Sequence, residues 1–281
     1  MNMGNIIFWE TTFFNITFAA YVIATLLYFY FLLSSRGNGG SWASRLALTG
    51  LVTHTVAIIL RTIEAGRAPL SNQFEFANVF AWGIVLCYLF IEWRYRYKYR
   101  VFGAFVMPLA FVVIGYASLL PKDIRPLMPA LQSVWLTIHV STAIFAYGAF
   151  TIACGLAIMY LYRASKERQG TVGIILQKFP SLDVLDDFGY KAIAFGFLFQ
   201  TLLIVTGAIW GEQAWGRYWG WDPKETWSLI TWIIYAVYLH ARFTRGWSGK
   251  TTAWFAIIGF ICVLFTYIGV NMWLPGLHSY V

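Results

Sequence analysis

Charge is what this sequence has least of. Asp, Glu, Lys and Arg make up 11% of its 281 residues, against 59% that are hydrophobic. Soluble domains carry about 25% charged residues, so a water-soluble globular protein is excluded and a polytopic membrane protein is expected. Cysteine is nearly absent too. Cys87, Cys154 and Cys262 each lie inside an apolar run, and no C-x-x-C pair exists. That excludes a disulfide framework and a thiol–disulfide exchange site, and leaves three small buried hydrophobes. There is no internal repeat, low-complexity tract or separate soluble domain, so 1–281 reads as one integral membrane domain. The net charge of +8 does not point to nucleic acid, because its basic residues sit in short loops between apolar runs, where they set topology.

What is present is a series of apolar runs: 12–33, 46–63, 74–92, 101–120, 131–162, 191–210, 226–241 and 253–273. Most approach the roughly 20 residues that cross a bilayer, which predicts an all-α bundle of about eight transmembrane helices. The first run is too long, and followed by too many others, for a cleaved signal peptide. Fourteen Lys and Arg fall in one set of connections, around Arg36, Arg94–Arg100, Arg163–Lys191 and Arg242–Lys250. Six fall in the other: Arg61, Arg67, Lys122, Arg125, Arg217 and Lys224. The richer side is cytoplasmic by the positive-inside rule, so both termini are expected outside. Within the cytoplasmic connector 163–190, apolar residues recur at helical spacing, as expected of a short interfacial helix or a packed connector.

Six of the fourteen Trp fall between Trp210 and Trp232, most of them in an outward loop, 210–227, broken by Gly211, Gly216, Gly220 and Pro223. Glycine at that density is expected to forbid a long regular helix and lets backbone approach a ligand closely. Two readings stay open. Trp215, Trp219 and Trp221 are a stacking platform for a flat ligand, or the cluster is an aromatic belt at the membrane interface. Asp222, followed by Pro223, is placed to cap the next helix.

Histidine is as scarce as cysteine, with four in all. His139, near the outer end of the fifth run, and His278, in the outward tail, flank the Trp-rich loop. Two imidazoles around a flat aromatic loop are what axial ligation of a haem iron requires; the plainer alternative is local hydrogen bonding. His240 sits at the cytoplasmic end of the seventh run, where it also suits the helix dipole. His54 is near the middle of the second run, with no assignable role. Trp135 and His139 share a helix face at i, i+4. Five of the outer-face cations, Arg61, Arg67, Arg125, Arg217 and Lys224, are candidates for haem propionates or membrane lipid phosphates. No C-x-x-C-H exists, so no haem is covalently attached to this chain.

The motif W-G-x-x-W-x-W-D stands here as Trp215-Gly216-Arg217-Tyr218-Trp219-Gly220-Trp221-Asp222. With it go Pro129 through Ser141 around His139, Tyr238-Leu239-His240-Ala241-Arg242, Gly276-Leu277-His278-Ser279-Tyr280, and the Arg67–Glu75 segment. These resemble the CcsA/ResC type of cytochrome c biogenesis protein, a haem-handling family marked by the WWD domain. The resemblance runs from about the second span to the C-terminus. It implies a holocytochrome c synthase in the bacterial cytoplasmic or thylakoid membrane, working with a CcsB/ResB-type membrane partner on apocytochrome c.

Non-covalent haem b would enter at a cytoplasmic site using His240. It would then reach an outward site of His139, His278, Trp215, Trp219, Trp221 and Asp222, with the three histidines as iron ligands. No residue is needed as a nucleophile, because the substrate supplies both thiols. The alternatives are a haem exporter without ligase activity, a b-type electron-transfer subunit, and a transporter with no cofactor.

Overall fold

Inside a bilayer a chain must satisfy its own backbone hydrogen bonds, so long apolar runs become helices. The computed structural model describes residues 3–34, 39–170 and 173–277, and among these there is no strand. The long helices are α1 (Met3–Leu33), α2 (Gly39–Ala65), α3 (Gln73–Arg94), α4 (Gly103–Ser118), α5 (Val134–Arg168), α7 (Leu182–Trp215), α8 (Pro223–Arg245) and α9 (Lys250–Leu264). Short helices are α6 (Ile174–Lys178) and α10 (Val270–Trp273), the latter joined to α9 by a π turn at Phe265–Gly269.

Seven helical segments are long and apolar enough to cross a membrane, and the protein is a polytopic helical membrane bundle. The eighth expected span, 226–241, lies within α8. Its 23 residues reach about 35 Å, enough to cross. Lys224, Glu225, His240, Arg242 and Arg245 make it more polar than the other seven.

Several helices begin before the apolar run does. α7 starts at Leu182 instead of 191, since Asp183 lowers hydropathy but favours a helix N-terminus. α7 also runs through Gly211 to Trp215, so only 216–222 of the Trp-rich segment is irregular. One glycine within a helix costs only about 1 kcal/mol, whereas Gly216, at φ 70°, ends it.

The chain divides into two compact units, one of Met1–Arg125 with Ser165–Pro180, the other of Pro126–Ala164 with Ser181–Val281. In the first, the carboxylates of Glu75 and Glu92 and the imidazole of His54 are buried and partnered, while Glu10 Oε1, Arg61 Nη2 and Glu64 Oε2 are buried without a hydrogen bond. The Glu75 carboxylate, fully buried, accepts from Arg61 Nε (3.3 Å), Arg67 Nη1 (2.9 Å) and the Ser71 N–H and Oγ (3.0 Å each). The Glu92 carboxylate accepts from the hydroxyls of Tyr28, Tyr88 and Ser44 and pairs with Arg100. His54, also fully buried, uses both ring nitrogens. Nε2 lies 2.8 Å from Asn78 Oδ1 and Nδ1 3.2 Å from the Tyr21 hydroxyl. An amide oxygen only accepts, so Nε2 carries the proton and Tyr21 donates to Nδ1.

The second unit is built on aromatic packing, with Phe150 stacked on Tyr235 at 3.8 Å and Trp227 against Phe265 at 4.2 Å. Gln200, buried in α7, donates to Ser228 of α8 (2.9 Å to Oγ). At one end of this unit Asp186 ties three helices together. It pairs with Arg242 (2.6 Å) and accepts from the Gly249 N–H (3.1 Å) and Thr252 Oγ1 (3.0 Å). The Trp-rich loop lies at the other end.

Candidate functional site

His139 stands in the second turn of α5, half-buried against α7. Its Nδ1 lies 2.9 Å from the Leu203 carbonyl oxygen. A carbonyl only accepts, so Nδ1 carries the proton and Nε2 is the nitrogen with the lone pair, the tautomer a metal ligand needs. Gly207 makes this approach possible. A Cβ there would fall 2.7 Å from His139 Cε1 and 2.8 Å from Nδ1, distances that no side chain tolerates. The imidazole also stacks on Trp210, with ring centroids 5.8 Å apart and planes at 22°. Trp210 in turn meets Trp215 edge-on at 4.8 Å. Its indole N–H donates to the Ala130 carbonyl (2.9 Å), while Ser133 Oγ donates to Gln213 Oε1 (2.8 Å). The segment leading into α5 is thereby pinned to the last turns of α7.

Trp219 and Trp221 form a second pair, edge-on at 5.7 Å. Trp221 is 68% exposed and has φ 57°, in the left-handed region that costs a non-glycine residue about 1–2 kcal/mol. Glu225 holds it there. Its Oε2 accepts from the N–H groups on either side, those of Gly220 (2.8 Å) and Asp222 (3.0 Å). Asp222 Oδ1 accepts from the Lys224 N–H (3.0 Å), completing a capping box at the start of α8 with Pro223 in the first turn. Strain over-determined by its surroundings, with a large ring turned outward, is characteristic of ligand sites.

Asp222 does more than cap. Its Oδ2 accepts from the Leu277 N–H at 2.6 Å, which ties the chain immediately before His278 to the loop. His278 itself lies outside the described residues. Of the predicted site residues, His139 and Trp215 thus share one chain of ring contacts through Trp210, while Trp219, Trp221 and Asp222 share the loop with the tail segment.

His240 is elsewhere, about 27 Å along α8 from Asp222. It is exposed and lines an open hollow of about 390 Å³ with Ala236, Val237, Ala241, Arg245 and Trp247. Arg242, two residues on, is anchored by Asp186. His54 joins neither place, since both its nitrogens are engaged in the first unit. Two of the five cations expected on the outer face, Arg61 and Arg67, serve Glu75.

Leu203 and Gly207 carry site geometry with no signal in the sequence, and Trp210 and Glu225, both inside 210–227, carry roles beyond those expected there. For Glu225 the signal was present, since D-x-x-E ahead of an apolar run is a capping box.

A sequence model of the family described as Cytochrome C assembly protein matches residues 70–278. The cytochrome c biogenesis protein CcsA of Guillardia theta is 37% identical, with 95% of this chain and 94% of that protein aligned. The CcsA protein of Gloeobacter violaceus is 34% identical, with 100% and 98% aligned. The solved structure of the cytochrome c haem lyase CcmF matches with a TM-score of 0.70 over 95% of this chain at 15% identity, a likeness of fold. This chain spans about half (47%) of that CcmF chain. On its sequence, the chain belongs to the cytochrome c assembly family, among the CcsA/ResC-type cytochrome c biogenesis proteins.

Proposed function

We propose that this chain is the haem-handling subunit of a membrane holocytochrome c synthase, acting with a CcsB/ResB-type partner. Haem b enters on the cytoplasmic side at His240 and moves to an extracytoplasmic site formed by His139, His278 and the Trp-rich loop. The orientation rests on the fourteen-to-six split of basic residues. The observation that carries the reading is the paired anchoring of the two loop flanks. His139 is held by the Leu203 carbonyl in its ligand-competent tautomer, and the residue before His278 is held by Asp222. A second-layer hydrogen bond to the non-ligating imidazole nitrogen is the usual partner of a metal-ligating histidine. The hollow beside His240 supplies open space at the opposite end of α8.

The chemistry asks little of the chain beyond position. Each apocytochrome thiol adds across a haem vinyl group, sulfur to one carbon and hydrogen to the other. There is no leaving group and no net oxidation, so a protein nucleophile is unnecessary. His139 and His278 would hold the ring through its iron, one indole of the edge-on Trp219–Trp221 pair would lie on its face while the other meets it at the edge, and the gain would come from proximity and orientation.

The test is co-expression of this chain with the partner and an apocytochrome c, followed by staining the denatured cytochrome for covalent haem. A stained band that requires all three supports the synthase. Haem that accumulates on the chain while the cytochrome stays unstained supports a carrier without ligase activity instead.

A further inference from the structure

We propose that Asp222 and Gly276 form a clasp that holds the tail at Leu277 against the Trp-rich loop, one residue before His278 in the sequence. The inference rests on the reading of His278 as a haem ligand and adds the residues that hold it. A helix cap needs one side-chain oxygen, which Ser, Thr or Asn supplies as well as Asp. Asp222 is 6% exposed and uses both. Oδ1 caps α8 through the Lys224 N–H, and Oδ2 takes the Leu277 N–H at 2.6 Å. A backbone N–H donated to a carboxylate is roughly twice as strong as one donated to a neutral acceptor. Gly276 lets the tail come this close, because a Cβ there would lie 2.5 Å from Oδ2 and 3.0 Å from Pro223 Cδ. Successive Cα atoms are about 3.8 Å apart, so holding Leu277 confines where His278 reaches.

The carboxylate is therefore selected by the tail and not by the cap. Asp222→Asn keeps one acceptor oxygen for the cap but turns an NH₂ donor toward the Leu277 N–H. Gly276→Ala keeps both carboxylate oxygens and sets a methyl group against Oδ2, which forces the tail and the carboxylate apart. Both variants are small enough to leave the helices in place.

The experiment uses the full chain, purified with its partner, carrying a nitroxide on Leu277→Cys in a background with Cys87, Cys154 and Cys262 replaced by Ala. With Asp222 and Gly276 intact the label is immobilised; in Asp222→Asn and in Gly276→Ala it becomes mobile. Without the label, both variants give the reduced haem spectrum of His278→Ala. They also lose about tenfold or more of cytochrome c yield, as outer-shell partners of ligands do, and added imidazole restores part of it. A label that stays immobile in both variants overturns the clasp, whatever the haem does. A mobile label with wild-type spectrum and yield overturns its positioning role, provided His278→Ala loses the wild-type bands. If His278→Ala keeps them, the outward-site reading fails on its own and takes the positioning role with it.

Discussion

His54 in the first unit and His139 in the second are both helical histidines within apolar runs, and their surroundings are opposite. Around His54, Tyr21 and Asn78 from two other helices take both ring nitrogens and leave the imidazole fully buried. Around His139 Nδ1 binds a backbone carbonyl, the ring stacks on an indole, and the side chain is only half-buried. The same contrast runs through the two units. Glu75 and Glu92 collect donors from neighbouring helices until their charge is matched, whereas the second unit spends polar groups on turning Trp221 outward and tying down a tail. Buried polar residues in a membrane are functional suspects by default. Here the suspicion is dispelled where partners are complete and kept where a backbone anchor fixes a tautomer.

If the polar groups of the first unit are structural, the largest effect on folding comes from Glu75. Glu75→Ala leaves the Arg61 and Arg67 guanidinium groups buried without their carboxylate, a loss of about 3–5 kcal/mol for a broken buried ion pair. Little folded protein should reach the membrane, which immunoblotting of membrane fractions checks. Normal levels with impaired cytochrome c would move Glu75 into the functional group.

The His240 hollow is next. His240→Ala should leave folding intact, because the side chain is exposed. It should lower both retained haem and cytochrome c yield, with partial rescue by imidazole, which occupies a vacated coordination position. Full yield without imidazole would return His240 to the helix-end role that its neighbour Arg242 also plays.

These assignments show how far the sequence carried. The helical class, the membrane setting, the Trp-rich loop and the Asp222 cap were legible because each is a local pattern of hydropathy or spacing. His54 was not, since its partners lie 33 and 24 residues away on other helices. Nor was the Leu203 carbonyl or the space at Gly207, because how α5 lies against α7 leaves no local signature. Helix ends were misjudged where acidic and glycine residues lowered hydropathy without stopping the helix, as at Leu182 and Gly211.

A smaller effect separates platform from belt. Trp221→Ala and Trp219→Ala should each reduce haem occupancy, and the Phe variants should be milder because a smaller flat ring still stacks. Absorbance of the purified complex per protein reads this; equal occupancy in all four would favour the belt. The smallest effect belongs to His54. His54→Ala strands the buried hydrogen-bonding groups of Tyr21 and Asn78 and should cost roughly 1–3 kcal/mol. It should lower the thermal midpoint of the solubilised protein and leave the reduced haem spectrum unchanged. A changed spectrum would break the contrast between the two histidines.

The central claim, that His139 and His278 are the two axial ligands of one haem at the Trp-rich loop, is tested most directly by the reduced haem spectrum of the complex. It is measured for His139→Ala, His278→Ala and the double variant at matched protein. Both single variants should lose the wild-type bands and cytochrome c synthesis while the protein still inserts. The double variant should be little worse than either, because the two ligands act as a unit. Wild-type bands and continued synthesis in all three would contradict the site.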